Sequence, residues 1–460
     1  RARRRFVTTD GTGARWRRRT AALRPPASGS VLVAGGIMLS RLAGLLREMV
    51  TSRVLGLTPA ADAFATAVRI PNLLQNLLGE GVLSASFVPV YSRLLDEDDP
   101  RDASRVAGAV GAMLLVITGI GVLILVLAAR PITAVLAFGL SGDRFELAVD
   151  LTRIMAVGVG FLVMSAWCLG ILNSHRRFFL PYAAPVVWNA VQIVALLFIW
   201  LRDWPLDDAA RGLAIAVTIG GLAQLVVQLP TVRGLARGLR LQFDGRHPKV
   251  REVRRRFAPA VLGRGVVQIS AYLDLMLATL LATGALAALL KAQLLYTLPV
   301  SLFAMSVAAA ELPELSRVAT DREALIERTR RSLDRIAFWM LLAAFVTVAA
   351  GDLIVGVLFE GGEFDSTDAV LVWFVLAAYA FAQLDFFGKN LLFTLLLSTM
   401  MIPPQATLIP NYITVAGVLR WHNTFLALTV PFMASVFNIF LLRQFFMGIP
   451  SDYFDAARLD

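Results

Sequence analysis

Apolar runs of about 20 residues recur along almost the whole chain and are separated by short polar segments. They can be placed at about 31–50, 62–88, 106–128, 148–172, 180–201, 212–232, 257–281, 287–310, 336–358, 369–387, 391–415 and 425–446. A helix of about 20 apolar residues is long enough to cross the hydrocarbon core of a bilayer. The pattern therefore predicts an all-α, polytopic transmembrane helix bundle of about twelve spans.

Composition narrows the class of protein further. The 460 residues are 57% hydrophobic and only 17% charged, more apolar surface than a soluble protein of this length could bury. A single cysteine, Cys168, excludes an intramolecular disulfide framework. The net charge of +11 does not indicate a nucleic-acid partner, because the basic residues cluster between the apolar runs.

The segments between the runs predict how the chain is oriented. Residues 1–30 carry nine Arg and one Asp, and residues 233–256 carry nine Arg or Lys against two acidic residues. Residues 359–368 carry four acidic residues and no basic one. Basic segments remain on the cytoplasmic side of a bacterial inner membrane, so we predict a cytoplasmic N-terminus.

These segments also divide the chain into predicted parts. Residues 1–30 are expected to form a disordered basic cytoplasmic tail, and 31–232 a first transmembrane lobe. A basic cytoplasmic linker at 233–256 leads to a partial second lobe at 257–381, followed by a further transmembrane fragment at 382–460. Two bundles joined in this way are typical of secondary transporters, which bind substrate between repeats near the midplane.

The stretch from Ser40 to Arg93 holds the strongest candidate for a functional site, because it places charges at membrane depth. Ionisable groups there cost several kcal/mol unless they pair or face a polar cavity. Arg41 and Glu48 share one face of an ideal helix, roughly 10 Å apart along its axis, which suits a cavity wall. Arginine forks match phosphate oxygens, so we predict an electropositive site. The charged residues of this stretch are Arg41, Arg47, Glu48, Arg53, Asp62, Arg69, Glu80 and Arg93.

Structural roles would also explain several of these residues. Arg47, Glu48 and Arg53 would suit a membrane interface, where long side chains extend to water. Asp62 is better placed to cap the N-terminus of the second helix than to contact substrate. Arg69 and Glu80 lie eleven residues apart and share a face, and Pro71 between them predicts a kink.

The same stretch resembles a known family. The motifs S-R-x-x-G-x-x-R-[DE], A-D-A-F, R-I-P-N and E-G-x-x-S-x-x-F-V-P follow one another as in the first two spans of the MurJ/MviN-type lipid II flippases. Similar segments follow, including G-I-L-N-S-H-x-R-F at 170–178 and L-P-x-L-S-R at 312–317. The resemblance covers about 31–381.

The resemblance implies a MOP-type transporter of two lobes that flips a lipid-linked peptidoglycan precursor, similar to lipid II, by alternating access. The implied partners are a lipid-linked pyrophosphate and membrane lipids. We predict Arg41, Arg47, Arg53, Arg69 and Glu80 as substrate-binding residues. Secondary candidates are Asp62, Glu48, Asp274 and Lys291.

Two segments depart from the family pattern. Gln75-Asn76 stand where the family usually has a basic pair, and 292–295 read A-Q-L-L where it usually has A-D-R-L. The second substrate-binding Arg of the family is therefore absent, with Lys291 nearby. A related polyprenyl-pyrophosphate lipid stays open as the substrate.

Signals for an enzyme are weak. The three histidines, His175, His247 and His422, lie in or near loops and form no metal-binding spacing with Cys168. No P-loop motif occurs, so the chain is not itself an ATPase. We expect a transporter with no cofactor and no metal site.

The amino-acid sequence stops resembling the flippase family near residue 382. T-M-M-I-P-P-Q-A-T-L-I-P at 399–410, F-L-L-R-Q-F-F at 440–446 and D-A-A-R-L-D at 455–460 resemble the permease of a sugar-type ABC importer. We expect a chimera with an incomplete second lobe, truncated at both ends, and an artificial join rather than a natural fusion. The alternatives are a carbohydrate-importer permease, which would require an ATP-binding subunit, and a non-transporting scaffold or an inactive chimera.

Overall fold

The computed structural model describes residues 27–97, 99–236, 238–280, 283–299, 322–383 and 394, and these residues are almost entirely helical. An isolated bridge between Gly361 and Phe364 is the one β contact within these ranges. The predicted all-α class is confirmed. The helices are α1 (Ala27–Leu55), α2 (Pro59–Leu78), α3 (Glu80–Ser86), α4 (Val88–Asp96), α5 (Pro100–Leu127), α6 (Ala129–Leu136), α7 (Gly142–Ser174), α8 (Phe179–Leu201), α9 (Leu206–Leu235), α10 (Pro248–Ala278), α11 (Ala285–Pro299), α12 (Arg322–Phe359) and α13 (Ser366–Gln383).

Five helical stretches of the described residues are long and apolar enough to cross a membrane. They coincide with the second to sixth predicted spans. Shorter apolar stretches at Ala285–Pro299, Ala350–Phe359 and Ser366–Leu376 fall in later predicted spans. The spans expected at 391–415 and 425–446, and the tail before residue 27, lie outside the described residues. The five long stretches are Pro59–Asp96, Arg101–Leu127, Gly142–Ser174, Phe179–Leu201 and Leu206–Leu235.

Local sequence signals set the start of α2, and they correct one prediction. Thr58, not Asp62, is the N-cap: its hydroxyl accepts the Ala61 N–H at 3.4 Å, and Pro59 occupies the first helical position. Asp62 lies one turn further on, too late to act as the N-cap of α2. The helix also continues through Pro71, and the break falls at Gly79.

The loops gather at two ends of the bundle. At the acidic end, which we define by the loop residues 56–58, 137–141, 202–205, 279–280, 283–284 and 360–365, the Gly139 N–H donates to Thr279 Oγ1 at 3.2 Å. At the basic end, defined by the loop residues 97, 99, 175–178, 236 and 238–247, His247 lies 2.8 Å from Asp102. The first predicted lobe therefore contacts the second at the acidic end and the predicted linker at the basic end.

Two apolar clusters hold the bundle together. One, which includes Leu55 and Phe359, joins α1, α2 and α7–α9 to α11–α13 toward the acidic end. The other, which includes Phe87 and Val253, joins α2–α5, α7 and α9 to α10 toward the basic end. Small residues allow close crossings between helices in a bilayer, and a Cβ added at Gly221 of α9 would lie 2.9 Å from the Gly158 carbonyl oxygen of α7.

Candidate functional site

A cavity of about 560 Å³ lies among the helices, and members of both apolar clusters line it. Helix α1 contributes the wall from Arg41 to Leu55, about 21 Å of helix axis. The volume is in the usual range for ligand sites. The polar side chains of the lining are Arg41, Arg47, Glu48, Thr51, Asn72, Gln75, Gln192, Gln224, Lys291, Gln293 and Thr297.

The lining carries three cationic side chains and one carboxylate, so the cavity is electropositive. Lys291 Nζ lies 3.2 Å from Glu48 Oε1 and donates to Ser52 Oγ at 2.7 Å. Lys291 is only 4% exposed. Buried charges at membrane depth must be paired, and here the pair joins α1 to α11.

Arg47 makes a looser contact with the same carboxylate. Its Nη2 lies 3.4 Å from Glu48 Oε2, and its guanidinium carbon lies 5.2 Å from the centre of the Trp188 ring. Lys291 is the closer and the more buried of the two cations beside Glu48. Arg47 therefore keeps donors for another anion.

Arg41 lies on the same helix, six residues before Arg47. It is exposed to the cavity and makes no hydrogen bond or ion pair with another residue among those described. Two guanidinium groups on α1 thus face one cavity. A ligand with two linked phosphates could accept hydrogen bonds from both.

Three predicted substrate-binding residues lie outside this lining. Arg53 is exposed at the acidic end, where its carbonyl oxygen accepts the Glu363 N–H at 2.9 Å. Arg69 lies beside the cavity and donates to Gln293 Oε1 at 2.8 Å. Glu80 is exposed at the start of α3, with Arg264 as a neighbouring opposite charge. The structure does not bring these three together with Arg41.

Asp62 has a structural role that the sequence did not indicate. Its carboxylate accepts the N–H groups of Gly284 at 2.6 Å and Ala287 at 3.1 Å, at the N-terminus of α11. Arg144 lies 3.7 Å away. Asp62 therefore caps a helix of the second predicted lobe. Asp274 lies within α10, and its side chain is outside the described residues.

Sequence reasoning missed Trp188 of α8 as a cavity residue. It lines the cavity beside Arg47, and the two residues are 141 positions apart in the chain. No local pattern links an arginine and a tryptophan at such a separation. Within the described part of the chain, no group of three His, Cys, Asp or Glu side chains could hold a metal ion.

Comparisons with known proteins place the chain in a family. The model of the lipid II flippase MurJ family matches residues 51–441. The match passes residue 382, where we expected the flippase resemblance to stop. A lipid II flippase MurJ from Burkholderia cenocepacia is 30% identical over 361 residues, which span 75% of this chain and 68% of that protein. A probable lipid II flippase MurJ from Bdellovibrio bacteriovorus is 32% identical over 359 residues, 77% of this chain and 68% of that protein.

Solved structures show the same fold. A lipid II flippase MurJ in an inward closed conformation superposes with a TM-score of 0.67 at 21% identity and covers 94% of this chain and 88% of its own. An inward-facing multidrug resistance MATE family transporter of the MOP superfamily gives a TM-score of 0.56 at 17% identity, over 91% of this chain and 96% of its own. The family match covers most of this chain, and both relatives are matched over more than two thirds of their own length. The chain therefore belongs to the lipid II flippase MurJ family, and it is a polytopic inner-membrane transporter rather than an enzyme.

Proposed function

We propose that this chain flips a lipid-linked pyrophosphate of the lipid II type across the inner membrane by alternating access. The observation that carries the proposal is the pair of guanidinium groups, Arg41 and Arg47, in one membrane-depth cavity. A hydrated head group needs a polar chamber to cross the bilayer, and its phosphates need cationic partners there. The relatives named as lipid II flippases support the same substrate class.

The ion pair of Glu48 and Lys291 supports this assignment. Lys291 Nζ lies 3.2 Å from Glu48 Oε1, and Arg47 directs only its Nη2 at the same carboxylate, at 3.4 Å. The other donors of Arg47 and those of Arg41 stay available to an anion. The site then carries the excess positive charge that a pyrophosphate requires. The A-Q-L-L segment at 292–295 leaves a related polyprenyl pyrophosphate open beside lipid II itself, and a comparison of both lipids in one transport assay separates the two substrates.

Alternating access requires that the contacts between the two lobes can break and form again. We propose that the contacts of α1 and α2 with α11 and loop 360–365 close the cavity at the acidic end. Asp62 bonds to the start of α11, and the Arg53 carbonyl oxygen accepts the Glu363 N–H. Water can replace these polar contacts when the lobes part, whereas the apolar cluster around Leu55 and Phe359 stabilises the closed end.

A transport assay with a matched control tests the phosphate site. In proteoliposomes that contain the full chain, Arg41→Ala should abolish movement of the labelled lipid while membrane insertion is unchanged. Arg153→Ala is the control, because Arg153 is exposed and its one ion pair among the described residues is with Asp150, three residues away, at 3.4 Å. Unchanged transport in Arg41→Ala would overturn the site assignment.

We also propose that the basic end faces the cytoplasm. Arg240 and Arg246 lie in its loops, and Arg251, Arg254, Arg255 and Arg256 lie in the first three turns of α10, as expected from the charge rule. The native Cys168 is fully buried, so it gives little labelling background. A membrane-impermeant maleimide added outside intact cells should label Asp207→Cys and should not label Gly245→Cys. The reverse result would invert the orientation.

For residues 388–460 we make a separate proposal, which rests on the motifs at 399–410, 440–446 and 455–460. We propose that this segment is a fragment similar to an ABC permease, and such a fragment would bind an ATP-binding subunit. Affinity purification of the full chain from its host tests this: a co-purifying ATP-binding subunit supports the permease proposal, and its absence with lipid flipping retained contradicts it. A sequencing read across the codons for 370–400 would distinguish a continuous fusion from an artificial join.

A further inference from the structure

Trp188 lines the cavity but is not one of the charged residues of the proposed phosphate site. It sits on α8, half-buried, and lines the cavity together with Arg47 of α1. The guanidinium carbon of Arg47 lies 5.2 Å from the ring centre. This separation falls within the range in which a cation is attracted by the face of an indole.

The tryptophan is itself held in place by α9. Its Nε1–H donates to the Val217 carbonyl oxygen at 3.2 Å. Gly220, one turn along α9, leaves room for it, because a Cβ there would lie 2.9 Å from Trp188 Cδ1. The indole is thus fixed by contacts that do not involve Arg47.

Arg47 without this ring would have a different preferred partner. Glu48 is its neighbour in the chain, and their present contact is a single long one at 3.4 Å. A guanidinium free to move would form a tighter pair with that carboxylate. The contact with the ring provides no oxygen acceptor, so the N–H groups of Arg47 that are not directed at Glu48 stay available to an anion.

We propose that Trp188 is a positioning residue, which holds the guanidinium of Arg47 at the cavity wall ready to bind the phosphate oxygens of a lipid-linked pyrophosphate. The inference rests on the proposed function. It adds a residue that acts through Arg47 and lowers the cost of ordering a long, flexible side chain. Trp188 therefore contributes to affinity for the charged head group and not for the polyprenyl chain.

Binding of two lipids to the purified full chain tests the proposal. The probes are a polyprenyl pyrophosphate and the uncharged polyprenol of equal chain length. Trp188→Leu should weaken binding of the pyrophosphate about three- to tenfold, the effect of a lost cation–π contact, and leave polyprenol binding unchanged. Trp188→Phe should retain most of the affinity. Both variants lose the hydrogen bond to Val217, so their difference isolates the aromatic face.

A second set of variants shows whether the effect runs through Arg47. In the Arg47→Gln background, Trp188→Leu should cause no further loss of pyrophosphate binding. Trp200→Leu is the matched control, because Trp200 lies on the same helix and is 55% exposed. Thermal unfolding is compared for every variant, and Trp188→Met, apolar without an aromatic face, replaces Trp188→Leu if that variant does not fold.

The outcomes separate this inference from the proposed function. If Arg47→Gln is impaired, three results overturn the positioning role alone. They are wild-type pyrophosphate binding in Trp188→Leu, equal losses of binding for both lipids in that variant, and an additive loss in the double variant. Wild-type pyrophosphate binding in Arg47→Gln overturns the phosphate site, and the positioning role with it.

Discussion

Lys291 of α11 and Glu48 of α1 form an ion pair across the cavity, with 3.2 Å between Nζ and Oε1, although 243 residues separate them in the chain. Phe359 and Phe364 cover the ammonium group, with ring centres at 5.7 and 5.8 Å. The pair thus connects the two predicted lobes beside the proposed phosphate site. Its loss should affect both stability and transport.

Lys291→Met should destabilise the chain by about 2 kcal/mol, because Glu48 is left without its closest charged hydrogen-bond partner. Thermal unfolding in detergent measures the loss. Adding Glu48→Gln should recover part of it, since the unpaired charge is then removed. Lys249→Met is the control, because its contact with Glu97 is exposed and 3.9 Å long. A double variant less stable than Lys291→Met would contradict the prediction.

Asp62→Ala should lower the unfolding temperature because two N–H groups at the start of α11 lose their acceptor. An unsatisfied buried donor costs about 1–3 kcal/mol. Asp62→Asn retains one side-chain oxygen and should be affected less. Asp208→Asn serves as comparison, since Asp208 is exposed and pairs locally with Arg211. Equal stability of Asp62→Ala and wild type would show that the cap contributes nothing.

Gly220→Ala should disturb Trp188 and weaken pyrophosphate binding without changing any charged residue. The added Cβ would lie 2.9 Å from the indole and 3.0 Å from the Trp188 carbonyl oxygen, so α8 or the ring must shift. Gly119→Ala provides the control, because nothing lies within 4 Å of its Cβ position. Binding of the polyprenyl pyrophosphate is measured for both variants. Wild-type affinity in Gly220→Ala would mean that the packing of α9 does not set the position of the ring.

Stability should fall at acidic pH because of His175, which lies in the loop between α7 and α8. Burial lowers its pKa below the ordinary 6.5. Its ring lies 3.0 Å from the Tyr91 hydroxyl. The unfolded state therefore binds more protons as the pH falls through 6.5 toward the folded-state pKa, and the folded state loses stability there.

The His175→Gln variant tests this pH dependence. Thermal unfolding measured between about pH 7.5 and about pH 5.5 should fall more steeply for wild type than for His175→Gln. The unfolding temperature of each protein is first normalised to its own value at the upper pH, and the two normalised curves are then compared. Parallel curves would show that another group accounts for the acid sensitivity.

Several features could be predicted from the sequence because they depend on the residues of one segment or on the composition of the chain. Long apolar runs must be helical in a bilayer, since only helices satisfy their own backbone groups there. The runs therefore predicted the all-α class and the positions of the long spans. The ordered motifs of 40–90 indicated the family, and charges at membrane depth identified Arg41, Arg47 and Glu48 as cavity residues.

The tertiary structure decided which charges meet. Arg53, Arg69 and Glu80 share the motif-rich stretch with Arg41, yet their contacts lie with loop 360–365, Gln293 and Arg264. Asp62 could only be recognised as the cap of α11 once that helix was placed beside α2. Trp188 became a partner of Arg47 through the packing of α8 on α1. The sequence alone predicted which segments are apolar enough to cross a membrane, because hydropathy is a property of each segment, whereas the pairing of side chains depends on contacts between helices far apart in the chain.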